Sequence, residues 1–135
     1  MADLSGITAV RPTAFTAVRI VPYGATIAAG QPIVRSGTTY VLADANASSV
    51  LATAEGIAIT PGVSGGYGLI ATGGSLILVG TTMVVGTSYI VSDTAGGIMP
   101  DADRSAGDYV TRLGTASTAT QLDLSIAATG IQVPA

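Results

Sequence analysis

The chain has 135 residues, which suits one domain. It contains no cysteine, histidine or lysine, so thiolate nucleophiles, the usual zinc ligands and a histidine or lysine base are excluded. Its net charge is −3 and only 10% of its residues are charged, which without a basic cluster argues against direct nucleic-acid binding. Apolar residues make up 48%, but glycines and Pro61 interrupt the uncharged stretch 56–92, so we predict no membrane-spanning helix.

Residues 1–12 carry no helical pattern and end at Pro12. They contain three apolar side chains that a free tail would not need, which are Leu4, Ile7 and Val10. We therefore predict an extended N-terminal arm over residues 1–12 that packs on a neighbouring protomer or partner. A single β-rich domain is predicted to follow over residues 13–135. The first residues also lack the regions of a signal peptide, so we expect synthesis in the cytosol.

Short runs rich in Val, Ile and Thr, separated by glycines, predict about nine strands. The clearest alternation of apolar and polar residues lies near the C-terminus. About nine strands in one domain predict a small closed β-barrel, with a sandwich as the alternative. The predicted strands are Phe15–Val21, Ile33–Arg35, Thr38–Ala43, Gly56–Thr60, Gly68–Ala71, Leu76–Val79, Ser88–Ser92, Tyr109–Leu113 and Thr120–Ile126.

Three segments break this strand pattern. The alanine-rich stretch Asn46–Ala54 predicts at most one short helix, with serines available to cap it. Two glycine-rich stretches, Thr60–Gly68 and Ala95–Asp101, are predicted to be exposed loops. Neither is long enough to divide the chain into two domains.

Two stretches nearly repeat each other, GTTYVLAD at Gly37–Asp44 and GTSYIVSD at Gly86–Asp93. The similarity extends back to Thr26 in the first copy and to Leu76 in the second, with a period of about 50 residues. With one gap, it aligns Gly30 with Gly80, Val34 with Val84 and Tyr40 with Tyr89. Since a solenoid normally needs three or more units, two copies predict an internal pseudo-twofold within one β-domain.

Each copy ends on an aspartate, Asp44 or Asp93. If the two strands met, these acids could form the carboxylate pair of a glycoside hydrolase or an aspartic protease. The residues that follow them favour structural roles instead, because an Asp at a strand end accepts hydrogen bonds from backbone N–H groups two residues on. The protein is predicted not to be an enzyme, and an aspartate-dependent hydrolase is a remote alternative.

Four aspartates between residues 93 and 108 could offer oxygen ligands to calcium. They lack the interleaved spacing and closing acid of a calcium loop, and Arg104 lies among them. We predict a solvated acidic loop rather than a metal site. No metal ligand, cofactor-binding residue or catalytic residue is predicted anywhere in the chain.

The chain has five tyrosines but one phenylalanine and no tryptophan, a composition found where an aromatic ring must keep one polar end in water. Tyr40 and Tyr89 are predicted to pack in the core with their hydroxyls at its rim. Tyr23 and Tyr67 each adjoin glycine and are predicted to lie at an interface. The candidate interface residues are therefore Leu4, Ile7, Val10, Tyr23 and Tyr67.

Five stretches follow one another in a distinctive order: TIAAGQPIV, YVLAD, EGIAIT, SYIVSDTAGGIMPDAD and DYVTRLGTASTATQLDL. Their order and spacing resemble the small capsid cement, or decoration, proteins of tailed bacteriophages. The resemblance runs from Thr26 to the C-terminus, and none of its motifs is catalytic. The turn from Ile27 to Ile33, of the form I-x-x-G-x-x-I, also looks like the turn of β-clip domains.

The resemblance implies a mostly β protein, a barrel or β-clip-like domain, that assembles as a homotrimer on the outer surface of the phage head. It implies that the major capsid protein is the partner and that the trimer bridges its subunits. The arm predicted from its apolar residues would then pack on a neighbouring protomer or on the capsid. The family shares no catalytic residues, so no site is carried over. A cell-surface or adhesin-like β-module is the alternative, although it would require an export signal.

Overall fold

The computed structural model describes residues 3–4, 6–46 and 49–134, and it is mainly β, with 51% of residues in strands. Its strands form one curled antiparallel sheet with the shape of a half-barrel. The predicted closed barrel is wrong, because the strand order begins at one edge strand and ends at another without the two pairing. One single-turn helix lies in the middle of the chain, as the sequence predicted.

Ten strands are present in the part of the chain that is described. They are β1 Ala9–Pro12, β2 Ala17–Pro22, β3 Pro32–Ser36, β4 Thr39–Leu42, β5 Gly56–Ala58, β6 Tyr67–Val79, β7 Ser88–Val91, β8 Ile98–Pro100, β9 Tyr109–Ala116 and β10 Gln121–Gln132. The helix α1 spans Ser49–Ala52, and a 3₁₀ turn spans Asp101–Asp103.

The long strand β6 joins the two halves of the sheet. Its first half pairs with β2 and β5, and its second half pairs with β1 and β10. The order along the sheet is β4-β3-β5-β6-β10-β9-β7-β8. Strands β1 and β2 run along one edge of β6 in nearly constant register, from Ala9 opposite Val79 to Pro22 opposite Tyr67. The N-terminal part of the chain is therefore an edge of the sheet.

In the middle of the first half of the sheet, at Pro32–Val34 of β3, in β5 and at Ile70–Ala71 of β6, both faces are buried, because neighbouring residues of one strand enter different hydrophobic clusters. Ile33 and Ile70 face the inside of the curl, whereas Val34 and Ala71 face the main core shared with the second half. Strands buried on both faces read as continuous apolar runs rather than alternating ones. The cluster inside the curl consists of Val21, Tyr23, Ile27, Ile33, Tyr40, Ala58 and Ile70.

The glycine turns and tyrosines of the repeat take equivalent positions in both copies. Gly30 and Gly80 have φ angles of +90° and +97°, which glycine adopts without strain. Gly37 and Gly86 likewise have φ angles of +64° and +84°. The aligned tyrosines, Tyr40 and Tyr89, are both buried, as predicted.

One strand of the repeat is missing from the second copy. Val34 lies buried in β3 at 3% exposure, whereas its counterpart Val84 is 67% exposed in a loop. The backbone of this loop is bonded to the β9–β10 hairpin instead, since the N–H of Met83 donates to the carbonyl of Ala119 and that of Gly86 to Ala116. The repeat is therefore partial in three dimensions.

Two sequence predictions of local structure are corrected. Ile98 and Met99, placed in an exposed loop, form the buried edge strand β8. Gly73 and Gly74, which appeared to separate two short strands, lie inside the continuous strand β6, where the backbone of Gly74 lies against the carbonyl of Phe15. Pairing overrides the local glycine signal in both cases: β8 pairs with the nearby strand β7, and β6 pairs with the distant strands β1 and β2.

Candidate interaction surface

The described residues of the predicted N-terminal arm, 3–4 and 6–12, pack against their own chain, and the rest of the arm lies outside the described residues. Strand β1 is paired with β6, and the N–H of Leu4 donates to the carbonyl of Ile98 at 2.7 Å. The Ser92 hydroxyl donates to the Asp3 carboxylate at 2.7 Å, so a side-chain hydrogen bond also fastens the segment. Pro12 is thus the last residue of strand β1, which is part of the sheet.

The three apolar residues of this segment face inward. Val10 is buried in the main core, and Leu4 and Ile7 pack against it. The side chain of Ile7 lies so close to Gly30 that a Cβ there would be 2.7 Å from it. The structure therefore places Leu4, Ile7 and Val10 in contacts within the chain, where the sequence analysis expected contacts with a neighbour.

Tyr23, the fourth predicted interface residue, is buried in the interior rather than exposed. Its hydroxyl donates to the carbonyl of Thr60 at 2.8 Å, and its ring lies against Gly62 and Gly68, where no side chain would fit. The stretch Thr60–Gly68, predicted to be an exposed loop, folds over this ring, and Tyr23 exchanges backbone hydrogen bonds with it. The glycines of this stretch make room for the tyrosine.

Burial raises the pKa of Tyr23 above its ordinary value of 10.0. The unfolded chain ionises this hydroxyl near pH 10, whereas the folded chain keeps the proton to higher pH. We therefore expect the contribution of Tyr23 to the free energy of unfolding to be constant below about pH 10 and to fall as the pH rises through the raised pKa. Urea denaturation between pH 8 and pH 11 should show that the free energy of unfolding falls less steeply with pH in Tyr23→Phe than in the wild-type protein. Equal pH dependence in the two proteins would contradict this.

Tyr67, the fifth predicted interface residue, is 72% exposed and belongs to an apolar strip along β2 and β6. In the register of this pair, Ile20 lies opposite Leu69 and Pro22 opposite Tyr67, so these four side chains share one face of the sheet. Val18 lies on the same face, two residues before Ile20. The β2 strip is therefore Val18, Ile20, Pro22, Tyr67 and Leu69.

The strip is exposed because the main core does not extend to the edge of the sheet. Leu69 still packs against that core, but Ile20 is 71% exposed and Val18 is 49% exposed. Phe15, which is 81% exposed, lies in the break between β1 and β2, next to the end of the strip. Large apolar side chains that adjoin on a surface typically mark an interaction site.

The sequence contains a signal for this strip, an unusually apolar edge strand. The run AVRIVP at Ala17–Pro22 has one polar residue, Arg19, in a segment too short to be a core helix. A strand at a sheet edge should carry more polar side chains, because one face and one edge lie in water. The excess of apolar residues in this strand, over what a half-buried strand needs, predicts an exposed apolar surface.

The two aspartates that close the repeat differ in role. An Asp44 carboxylate oxygen accepts a hydrogen bond from the N–H of Asn46 at 3.2 Å, which confirms its structural role in a turn. After β7 the corresponding bond is made by Ser92, whose hydroxyl oxygen accepts from the N–H of Thr94 at 3.0 Å. The two turns lie side by side, since the N–H of Ala45 donates to the carbonyl of Ser92 at 3.0 Å.

These bonds predict an order of effects for three alanine substitutions. Ser92→Ala should cost about 2 kcal/mol, because a buried hydroxyl loses two hydrogen bonds. Asp44→Ala should cost about 1 kcal/mol, and Asp93→Ala should remain within about 0.5 kcal/mol of wild type. Urea denaturation measures all three, and a larger loss for Asp93 than for Ser92 would contradict the assignment.

The acidic residues near the 3₁₀ turn make contacts within the chain. Arg104 and Arg112 approach the two carboxylate oxygens of Asp101 at 3.4 and 4.0 Å. Asp108 is buried and accepts a hydrogen bond from the N–H of Ser105 at 2.9 Å. Across residues 3–4, 6–46 and 49–134, no three His, Cys, Asp or Glu residues are grouped so that they could hold a metal ion.

Comparisons with known proteins give no family for this chain. Neither a protein-family model nor a curated protein matches it. Within the part that the structure describes, no helix is long and apolar enough to cross a membrane. The feature of the described residues that most suggests a function is the exposed apolar strip at the edge of the sheet.

Proposed function

We propose that the protein is a structural virion protein that binds the outer surface of a tailed-phage head and stabilises the capsid by bridging major capsid protein subunits. The observation that carries this proposal is the exposed β2 strip on a β-sheet body whose charged residues are few. The resemblance of the stretches from Thr26 to the C-terminus to capsid cement proteins supports it from the sequence.

The physical properties of the strip suit such a role. Its side chains carry no charge, so contact with another protein removes little hydration of charged groups. The side chains stand on paired strands, so little backbone freedom is lost on binding. A symmetric shell presents many copies of one site, and linked weak contacts can raise affinity by roughly 10² to 10⁴.

The proposal includes a homotrimer and a place on the outside of the capsid after synthesis in the bacterial cytoplasm. It also includes a β-clip-like character for the turn between Ile27 and Ile33. Both isoleucines are buried inside the curl, and Gly30 between them turns with a positive φ angle. This turn holds β3 against the cluster around Tyr23 and so contributes to a rigid body.

Co-sedimentation with undecorated phage heads tests the proposal. We expect the purified protein to bind until it reaches a fixed ratio to the major capsid protein. Nuclease treatment of the heads should not release it, because it does not bind DNA. Mature decorated heads serve as the control, because their sites are already occupied. Absence of binding to undecorated heads at micromolar protein would overturn the proposed function.

A further inference from the structure

Strand β2 has a backbone edge that, within the described residues, no other strand pairs with at Val18–Ile20, although β4 lies beside its C-terminal end. It is paired on one side with β6, and its only other bridge, at the following Tyr23, joins Tyr40. The N–H of Tyr23 donates to the carbonyl of Gly66, which lies on the β6 side. Alternation by two then directs the backbone groups of Arg19 and Val21 toward β6.

The same alternation directs the N–H and C=O groups of Val18 and Ile20 away from β6, toward the open edge. Pro22 agrees with this assignment, because proline lacks an N–H and is tolerated where that group would face solvent. Four backbone hydrogen-bonding groups are thus available to an added strand. The side chains of Val18 and Ile20, part of the β2 strip, stand on one face of that edge.

Arg19 determines what kind of strand fits. It is exposed on the opposite face, opposite Ile70, and no carboxylate of the described residues lies within ion-pair distance of it. A strand paired here would place one side chain directly beside Arg19, and a carboxylate there would gain a cross-strand ion pair. Its neighbours on either side would lie beside Val18 and Ile20 and should be apolar.

A second copy of β2 fits this edge poorly. Antiparallel pairing that matches Val18 with Ile20 of the second copy places the two Arg19 side chains opposite each other, which is unfavourable. If the register is shifted so that the two Ile20 residues face each other, Val18 faces Pro22 of the second copy, which has no N–H to donate. A charged residue on an exposed edge strand is also a common means of preventing self-association.

The geometry points to strand addition at β2: the partner supplies an extended segment with an acidic residue between two apolar residues, which pairs antiparallel with Val18–Ile20. Main-chain hydrogen bonds would give affinity, and the contacts with Arg19 and the β2 strip would give specificity. This inference deepens the proposed function, on which it rests for the identity of the donor, an exposed segment of a capsid subunit.

Hydrogen exchange followed by NMR tests the edge without phage heads. The probes are the capped peptides Ser-Thr-Val-Asp-Val-Thr-Ser and the same sequence with Lys in place of Asp, at millimolar concentration. In the free protein we expect fast amide exchange at Val18 and Ile20 and slow exchange at Arg19 and Val21. The aspartate peptide should slow exchange at Val18 and Ile20 and bind at least ten-fold more tightly than the lysine peptide.

Variants separate backbone pairing from side-chain contact. Ile20→Pro should abolish peptide binding because it removes an outward N–H, whereas Ile20→Thr keeps that group and should retain part of the binding. Arg19→Glu should reverse the preference between the two peptides, and Arg35→Glu on β3 should leave it unchanged. The exchange measured in the free proteins shows whether each variant is folded.

Three results would overturn the inference. The first is equal binding of both peptides, and the second is exchange protection that maps away from β2. The third is protection of Val18 and Ile20 without peptide that disappears on dilution, which would assign the edge to a second copy. None of these results depends on phage heads, so failure of strand addition is distinguishable from failure of the proposed function.

Discussion

Replacing Gly68 with alanine is expected to lower the free energy of unfolding by about 3 kcal/mol. A Cβ at this position would overlap the Tyr23 ring, and that ring is buried and fixed by its hydrogen bond to Thr60. The ring is fully buried and Gly62 lies against it as well, so a shift of the ring would disturb a second packed contact. Overpacking therefore displaces Tyr23 or the strand that carries Gly68.

Gly73→Ala is the matched control, because it lies in the same strand and a Cβ there would meet nothing within 4 Å. It should change the free energy of unfolding by less than about 1 kcal/mol. Urea denaturation followed by circular dichroism measures both variants. Similar losses for the two alanines would show that Gly68 is not required by the packing of Tyr23.

The double substitution Ile20→Asp and Tyr67→Asp is expected to weaken binding to undecorated heads at least 100-fold. Both side chains are more than two thirds exposed, so the fold does not depend on burying them. In the proposed complex, however, each would be covered, and covering an unpaired carboxylate costs several kcal/mol. The effect is large because the repeated sites of a shell multiply the loss.

Val84→Asp and Val85→Asp together provide the control for added negative charge. These valines are 67% and 62% exposed, but they lie in the loop before β7, outside the β2 strip. The control variant should bind heads like the wild-type protein. If both double variants lost binding equally, general repulsion rather than the strip would explain the result, and the assignment of the interface would be wrong.

Much of the fold could be predicted from short-range patterns. The candidate strands between Ile33 and Ile126 follow from β-branched runs between glycines, and the positive φ angles at Gly30 and Gly80 follow from the repeat. Strand β1 and the continuity of β6 could not be predicted in this way. They depend on the pairing of residues 9–22 with residues 67–79, which lie more than 40 positions away.

The sequence alone could not separate interface residues from core residues, for a similar reason. Leu4, Ile7, Val10 and Tyr23 were chosen because apolar or aromatic residues near glycine and proline suit an interface. The same residue types suit a core, and only the tertiary contacts with β6 and with Gly62 and Gly68 distinguish the two. Tyr67 is exposed because its strand position directs it to the face of the β2 strip.

The most direct test of the proposed function is the temperature at which DNA-filled heads rupture, measured with and without saturating protein. Heads that carry the protein should rupture at a higher temperature, because contacts between neighbouring capsid subunits must break before the shell opens. Heads saturated with the Ile20 and Tyr67 double variant at the same concentration should behave like bare heads. An unchanged rupture temperature at full occupancy by the wild-type protein would contradict a role in stabilising the capsid.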